Sequence, residues 1–447
     1  MKTFETQGPV SPDRNYVVRR SRELTDFVNR AKLGRYIVIF APRQTGKTTF
    51  FRWALDALIG EDLVYFPIQL DFEEYKNVSL SDFYNYLYQD IRKEIENVNQ
   101  KRETVPSDPL SEFLENTQIV NHVSLRHFFE KFARILDNQR IIIIIDEFDG
   151  IPQDVVSDFL HSLRRIYLSD PDSRCIYSLG IVGVKSITQL NYDRSISPFN
   201  IQDEFALPNF TLEQVRELLA QYTDEVGQMI TTEVIEALHK QTAGQPFLVN
   251  RFAQILTDEL NIPKTETLRI KHFTQAHTRL LRERNTNIDH LLSNIRNDPR
   301  FEGILMKIVS YEKGIGFNLD NELIDKLTTY GIIAEGSDGM CEIVNPIYHY
   351  RIMQAFQPIN NGLEDEYFSG DTYSNFLDYL TPDGNIQMQP LLDNFQNFIS
   401  RAGHRLLHVP QTHKSLSVSI FFSPILISLF AWHAAPCILK YKQVEVG

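Results

Sequence analysis

Apolar and polar positions divide the chain into stretches of two different periods. The runs RYIVIFA (35–41), LVYFPIQL (63–70), RIIIIID (140–146) and CIYSLGIVGV (175–184) are apolar and rich in β-branched residues. Continuous apolar strands, unlike alternating ones, are buried on both faces, which predicts a parallel sheet. Between them, TGKTTFFRWALDALIG, LSDFYNYLYQDIRKEI and LRHFFEKFARILD carry helical periodicity. The alternation predicts an α/β fold, an open parallel sheet covered by helices, and DEFALPNF (203–210) supplies a fifth, short strand.

After Pro208 the pattern turns helical. TLEQVRELLAQYTDEVG, TTEVIEALHKQTAG and QPFLVNRFAQILTDEL are amphipathic, with threonine or glutamine starts and glycine stops. A polar linker near Asn285 to Pro299 precedes a third unit. There FEGILMKIVSYE, DNELIDKLTTYGII and MCEIVNPIYHYRIMQAF read helix, helix, short hairpin, helix, the order of a winged helix-turn-helix. Gln357 to Gly370 reads as a second polar linker, followed by two amphipathic helices, YSNFLDYL and MQPLLDNFQNFISRAGHRLLHV, the latter leading into a short strand. From Thr412 the composition shifts, and SLSVSIFFSPILISLFAWHAAPCIL holds no charge except on protonation of His433. No internal repeat is found.

Composition narrows the class. A chain of 447 residues exceeds one ordinary core, so two or three domains are expected. Hydrophobic and charged fractions of 43% and 23% are those of a soluble globular protein. Cys175, Cys341 and Cys437 are few and far apart, which fits a reducing compartment, and the start MKTFETQGPVSPDR lacks the build of a signal peptide. A cytoplasmic location is therefore expected. The net charge of −13 excludes a uniformly basic nucleic-acid coat. The local basic clusters, Arg14, Arg19, Arg20 and Arg22, then Arg279, Arg282 and Arg284, read as solvated faces or phosphate-side support.

One strand end carries chemistry. IVIFAPRQTGKTTF (37–50) runs into Gly46-Lys47-Thr48, the build of a phosphate-binding loop, except that Ala41 replaces the first glycine of G-x-x-x-x-G-K-[ST]. In such a loop, backbone N–H groups and the following helix N-terminus point at the β- and γ-phosphates. The candidate ATP site is Pro42, Arg43, Gln44, Thr45, Gly46, Lys47, Thr48 and Thr49. Lys47 adds a cation there, and Thr48 offers a hydroxyl to Mg²⁺. Gly46 is needed where backbone comes closest to phosphate, whereas the first position ends the strand and tolerates an alanine whose methyl faces the core.

A second motif stands in the right order. IIIIIDEFD puts Asp146 at the end of a buried strand, roughly one hundred residues after Lys47. Two adjacent carboxylates are expensive at such a place without a metal ion or an activated water. Asp146 is the candidate Mg²⁺ ligand beside Thr48, and Glu147 the candidate catalytic residue that orients or deprotonates the attacking water, with Lys47 assisting. A Mg²⁺-dependent ATPase is expected.

Together these residues resemble the bacterial AAA-like domain P-loop ATPases, relatives of the STAND and archaeal-type ATPase groups and similar to AAA+ folds. GPVSPDRNYVVR, APRQTGKTT, IIDEFD, SPFN with FALPNFTLEQV, and TAGQPFLVNRFAQIL follow the family pattern in order, over about residues 5–411. The resemblance implies a P-loop ATPase core at 1–207, a helical lid at 208–285 and a winged-helix-like domain at 296–357. It also implies that Tyr16, Val17 and Arg19 flank the adenine, and that Gly244, Gln245 and Pro246 open a lid helix toward the nucleotide. Simple helix punctuation explains the last three nearly as well. Lys185 and Ser186 are what the sequence offers as a sensor, and Arg164, Arg165 and Arg194 as an arginine finger; structural salt bridges account for these arginines equally.

Many members of the family continue into a PD-(D/E)XK nuclease-like domain, and 371–411 resembles a remnant of one. After Thr412 there is no Asp, and Glu445 is the only Glu, so no nuclease site can be assembled there. The atypical apolar tail, 412–447, reads as the product of a shifted frame or a truncation; Pro424, Pro436 and His433 make a poor membrane anchor. In the winged-helix segment Asp320, Glu322 and Asp325 outnumber Lys326, a composition that repels duplex DNA and favours a protein contact or packing against the ATPase core; the expected partner is a protein or another copy of the chain. The expected function is ATP hydrolysis coupled to a conformational or assembly change. The rivals are a non-hydrolysing nucleotide-binding scaffold and a DNA-acting effector that has lost its nuclease.

Overall fold

The computed structural model describes residues 2–61, 63–137, 139–171, 173–183, 203–310 and 314–356, together with Gln387 and Gln389. Lys185, Ser186, Arg194, the tail at 412–447 and all but those two glutamines of 371–411 lie outside the described residues. The described residues divide into two compact units, with the boundary between Asn209 and Phe210.

The first unit holds α1 (Ser21–Lys32), β1 (Tyr36–Phe40), α2 (Lys47–Glu61), β2 (Tyr65–Asp71), α3 (Leu80–Lys101), α4 (Asp108–Asn116), α5 (His122–Ile135), β3 (Arg140–Asp146), α6 (Gln153–Tyr167), β4 (Ser178–Gly183) and β5 (Asp203–Ala206). The strands form one parallel sheet in the order β2-β3-β4-β1-β5. The five strands expected of this sheet are all present, and α1, α4 and α6 add to the expected helices.

The isoleucine run shows why the sheet is covered on both sides. Ile141, Ile143 and Ile145 join the core under α3, α4, α5 and α6, whereas Ile142 and Ile144 join the core under α1 and α2. A strand alternates its side chains between faces, so an uninterrupted apolar run requires two apolar layers. Each fully buried isoleucine contributes about 1.5–3 kcal/mol relative to exposure. Such a strand has no stable solvent-facing alternative.

An aromatic cluster fixes the end of β3. Just past β2, Phe72 N–H donates to the Asp146 carbonyl at 3.0 Å, carrying the pairing one residue beyond the strand. The Phe72 ring packs on Phe148 at 5.9 Å, Phe83 at 5.7 Å and Phe159 at 5.9 Å between centroids. Gly150 lies so close beneath that a Cβ there would stand 1.8 Å from the Phe72 carbonyl oxygen. The turn after Asp146 is thus pressed backbone-to-backbone against the turn after β2.

The second unit runs through α7 (Leu212–Val226), α8 (Thr232–Thr242), α9 (Pro246–Gln254), a π-helical turn (Ile255–Glu259), α10 (Ile270–Arg282), α11 (Thr286–Arg296), α12 (Pro299–Ser310), α13 (Glu322–Thr329), β6 (Ile333–Glu335), β7 (Cys341–Ile343) and α14 (Pro346–Phe356). Thr211 and Gln214 form a reciprocal capping box at the start of α7, and Gly227 ends it in the left-handed region. Arg251 pairs with both Glu259 and Glu283, tying the π-turn to the chain just past α10. β6 and β7 form an antiparallel hairpin.

The polar linker expected at Asn285 to Pro299 is instead helix α11. Asn285 caps it by accepting the Ile288 N–H at 3.0 Å, and Ile288, Leu291 and Ile295 bury one narrow apolar face. Tyr348 of α14 donates to Asn287 Oδ1 at 2.8 Å, and Arg351 donates to the Leu281 carbonyl at 2.8 Å. Polar residues that looked solvated are spent on caps and on buried hydrogen bonds. Among the described residues, no helix is long and apolar enough to cross a membrane.

Gly150→Ala is expected to lower stability by about 3 kcal/mol, because backbone must move to admit the methyl. Gly60→Ala, in α2 with open space around it, is expected to be neutral or stabilising by roughly 0.5 kcal/mol. Urea unfolding of both variants checks the contrast; equal midpoints would remove the close-approach argument.

Candidate functional site: a loop and an acid across the sheet end

The loop between β1 and α2 is shaped by its own side chains. Ala41 is buried with Ile37, Ile39, Phe50 and Val182, so its methyl belongs to the core. Gln44 and Gly46 have φ of 61° and 84°, left-handed values that turn the chain outward before α2 begins. A Cβ on Gly46 would meet nothing within 4 Å, so its side of the loop is open. Thr45 is buried and donates through Oγ1 to the Pro42 carbonyl at 2.8 Å, closing the turn.

Lys47 is the first residue of α2 and is 6% exposed. Its ammonium donates to the carbonyls of Ala41 at 3.0 Å and Pro42 at 3.1 Å. An ammonium has three donors, so two of them brace the loop and one remains for a further acceptor. Burial lowers the lysine's pKa, against the attraction of Glu147, Asp146 and Asp149.

Asp146 ends β3 and is 1% exposed. β4 lies between β3 and β1, so the loop and the acid meet across the end of an intervening strand. Thr48 Oγ1 donates to Asp146 Oδ2 at 3.0 Å, and the Glu147 N–H donates to Oδ1 at 3.0 Å. Burial raises the Asp146 pKa, opposed by these two hydrogen bonds and by Lys47. Glu147 is half-buried with φ 46° and ψ 45°, an uncommon backbone for a residue with a Cβ. Burial raises its pKa too, and Lys47 and Arg43 oppose the shift.

Thr48 and Asp146 form a hard-oxygen donor set of one hydroxyl and one carboxylate. That set suits Mg²⁺, which binds one or two protein oxygens and takes its other ligands from water and phosphate. A cation beside a carboxylate this deeply buried relieves the desolvation that raises its pKa. The residues present therefore fit the group.

The remaining expected residues are distributed as follows. Tyr16 and Val17 are buried, with the Tyr16 ring 4.7 Å from that of Phe4, and Arg19 is exposed. Thr49 Oγ1 accepts the Val10 N–H at 3.1 Å, so the N-terminal arm is tied to α2. Arg164 and Arg165 lie in the last turn of α6. Gly244, Gln245 and Pro246 belong to the second unit, where Gln245 Oε1 accepts the Leu248 N–H at 2.7 Å and caps α9. Gly244 has φ 69°, and a Cβ there would stand 1.9 Å from the Phe210 carbonyl. These are the contacts of a helix junction.

Sequence reading missed Arg20. It sits in a run of arginines read together as solvated faces or phosphate-side support, but Arg14, Arg19 and Arg22 are exposed and Arg20 alone of the four is buried. Its guanidinium donates to the Pro208 carbonyl at 2.8 Å and the Thr45 carbonyl at 3.1 Å. Only its position beside the apolar Tyr16-Val17-Val18 hinted at this.

The raised Glu147 pKa has a consequence for stability. The carboxyl's stabilising contribution is complete below its ordinary value of 4.5 and is lost as pH rises through the higher folded value. Glu147→Gln is therefore expected to gain thermal stability over the wild type as pH rises from 4 to 8 without nucleotide. A pH-independent difference in Tm would contradict the burial argument.

The sequence profile of the AAA-like domain family matches residues 5–351. An uncharacterised WD repeat-containing protein of Synechocystis is 28% identical over 151 residues, which are 33% of this chain and 12% of that protein. The chain thus matches only a small part of that relative's length. Among solved structures, a Walker-type ATPase of Pyrococcus abyssi is similar with a TM-score of 0.53, 14% identity, and coverage of 78% of this chain and 99% of that one. The ORC1 protein of Aeropyrum pernix in complex with DNA gives a TM-score of 0.38 and 13% identity, covering 76% of this chain and 93% of that one. At 14% identity what is shared with the Pyrococcus protein is the fold. The profile match runs from the N-terminal arm through both units into α14, and on that ground the chain belongs to the AAA-like domain family.

Proposed function

We propose that the chain binds ATP with Mg²⁺ at residues 42–49 and hydrolyses it, coupling nucleotide state to a conformational or assembly change. The observation that carries this reading is the 3.0 Å hydrogen bond from Thr48 to Asp146, which joins the loop to the acid across the end of β4. The hydroxyl and the carboxylate would together make a cation-binding pair beside a phosphate-binding turn.

The roles follow from the donors. The loop N–H groups and the N-terminus of α2 hold the phosphates, and the remaining Lys47 N–H reaches a β- or γ-oxygen. Mg²⁺ held by Thr48 and Asp146 supplies neutralisation of phosphate charge. Glu147 orients the attacking water and accepts its proton, for which a carboxylate with a raised pKa is suited. Tyr16, Val17 and Arg19 would border the base, and Pro246 would belong to a lid that senses the nucleotide.

The elements α12, α13, β6, β7 and α14 are read as a winged helix-turn-helix that reports the state to a protein partner or another copy. Glu322 and Asp325 in α13 disfavour duplex DNA as that partner. A cytoplasmic location fits this reading.

Magnesium-dependent ATP turnover is expected for the wild type. Lys47→Ala is expected to reduce both nucleotide affinity and turnover, the latter about 100-fold or more. Glu147→Gln is expected to lower turnover by roughly 100-fold or more while keeping affinity. Turnover should fall as pH drops and Glu147 takes up a proton, and duplex DNA should leave it unchanged. Tight ATP binding by the wild type without turnover would replace this reading with that of a nucleotide-binding scaffold.

A further inference from the structure

Arg20 lies immediately before α1, is 6% exposed and has φ 50°, a left-handed backbone for a residue with a long side chain. Its two terminal nitrogens reach carbonyls that are far away in sequence, at separations of 188 residues for Pro208 and 25 for Thr45. Thr45 is inside the phosphate-binding turn. Pro208 follows β5, one residue before the sheet unit ends at 209. Burial pulls the Arg20 pKa down to about 10, with Glu23 opposing, so the arrangement is held at an electrostatic cost.

The geometry of the peptide bond gives this contact a direction. In a trans peptide the C=O and the next N–H point opposite ways. Every peptide in the described chain is trans. With the Thr45 carbonyl drawn to Arg20, the Gly46 N–H points the opposite way, away from the guanidinium. A planar guanidinium can hold two carbonyls at once in fixed relation, which a lysine ammonium on a single flexible stem does poorly.

We propose that Arg20 is a positioning residue that aims the Gly46 N–H at the phosphate and ties that peptide to Pro208, so that nucleotide binding at the loop is transmitted to the exit of the sheet unit. This rests on the reading of residues 42–49 as the nucleotide site. Any movement of the Thr45–Gly46 peptide on binding phosphate then pulls on both ends of one rigid fork. The arginine acts through backbone, not by touching the nucleotide.

The test is hydrogen–deuterium exchange of the full chain with and without a non-hydrolysable ATP analogue and Mg²⁺, for the wild type, Arg20→Lys and Arg20→Gln. In the wild type, protection is expected both at 43–49 and at 207–211. Arg20→Lys keeps the charge but not the fork, so analogue affinity is expected to fall about 3-fold, with the loop still measurably protected at saturating analogue, while the response at 207–211 is lost. Arg20→Gln is expected to lose that response and to weaken affinity about 10-fold. If Arg20→Gln does not fold, Arg20→Lys alone carries the comparison. A response at 207–211 that is the same in the variants, or absent in the wild type while the loop is protected, overturns the proposal and leaves the nucleotide site standing. No analogue binding and no loop protection in the wild type overturns the nucleotide site and, with it, the proposal.

Discussion

Lys47 and Asp146 are charged groups held almost out of water, 6% and 1% exposed, at the rim of a sheet made of isoleucine, valine and phenylalanine. Either charge buried alone would be strongly destabilising. Each is instead compensated locally, the ammonium by two loop carbonyls and the carboxylate by a hydroxyl and a backbone N–H. That compensation requires the loop to close on itself and the end of β3 to stay at one depth. The inward Ala41, the Thr45 bond to Pro42 and the aromatic cluster around Phe72 all serve that requirement. The proposed affinity for an anion would draw on the one Lys47 donor left beyond its two loop carbonyls.

How much of this could be read in advance depended on the kind of physics involved. The parallel sheet was legible because continuous apolar runs have few stable arrangements, and RIIIIID appears as β3 with its bounds unchanged. The loop and the acid were legible because Gly46-Lys47-Thr48 and Asp146-Glu147 are each chemically unusual at a strand end. Helix α11 was not, since its face rests on three buried aliphatic residues in a polar stretch. Arg20 was hidden for a different reason. Its environment comes from Thr45 and Pro208, and no local pattern announces contacts of that range. Gly150 is similar, because the demand for glycine arises from the Phe72 carbonyl in the turn after β2.

The second unit follows another logic. Its helices are bounded by local devices, such as the Thr211 box and the Gln245 cap, but its assembly depends on buried polar contacts between helices. Arg251 with Glu259 and Glu283, Tyr348 with Asn287, and Arg351 with the end of α10 are directional bonds with little tolerance for sliding. A bundle fixed in this way moves as a body or comes apart. It is a suitable element for reporting a two-state change, since packed elements with fixed contacts switch between arrangements in place of deforming.

β4 separates β1, whose end feeds the loop that leads to Thr48 at the start of α2, from β3, which ends in Asp146, and this makes the sheet itself a ruler. Neighbouring strands are about 4.8 Å apart, so the loop and the acid are held two spacings from each other by backbone that neither residue belongs to. Their side chains close the remaining gap, and a hydrogen bond tolerates only a few tenths of an ångström of error. Flattening or further twisting of the sheet alters the separation at its end before any side chain at the site is touched. Substitutions on β4, which carries no charged residue of its own, can therefore detune the site through curvature alone.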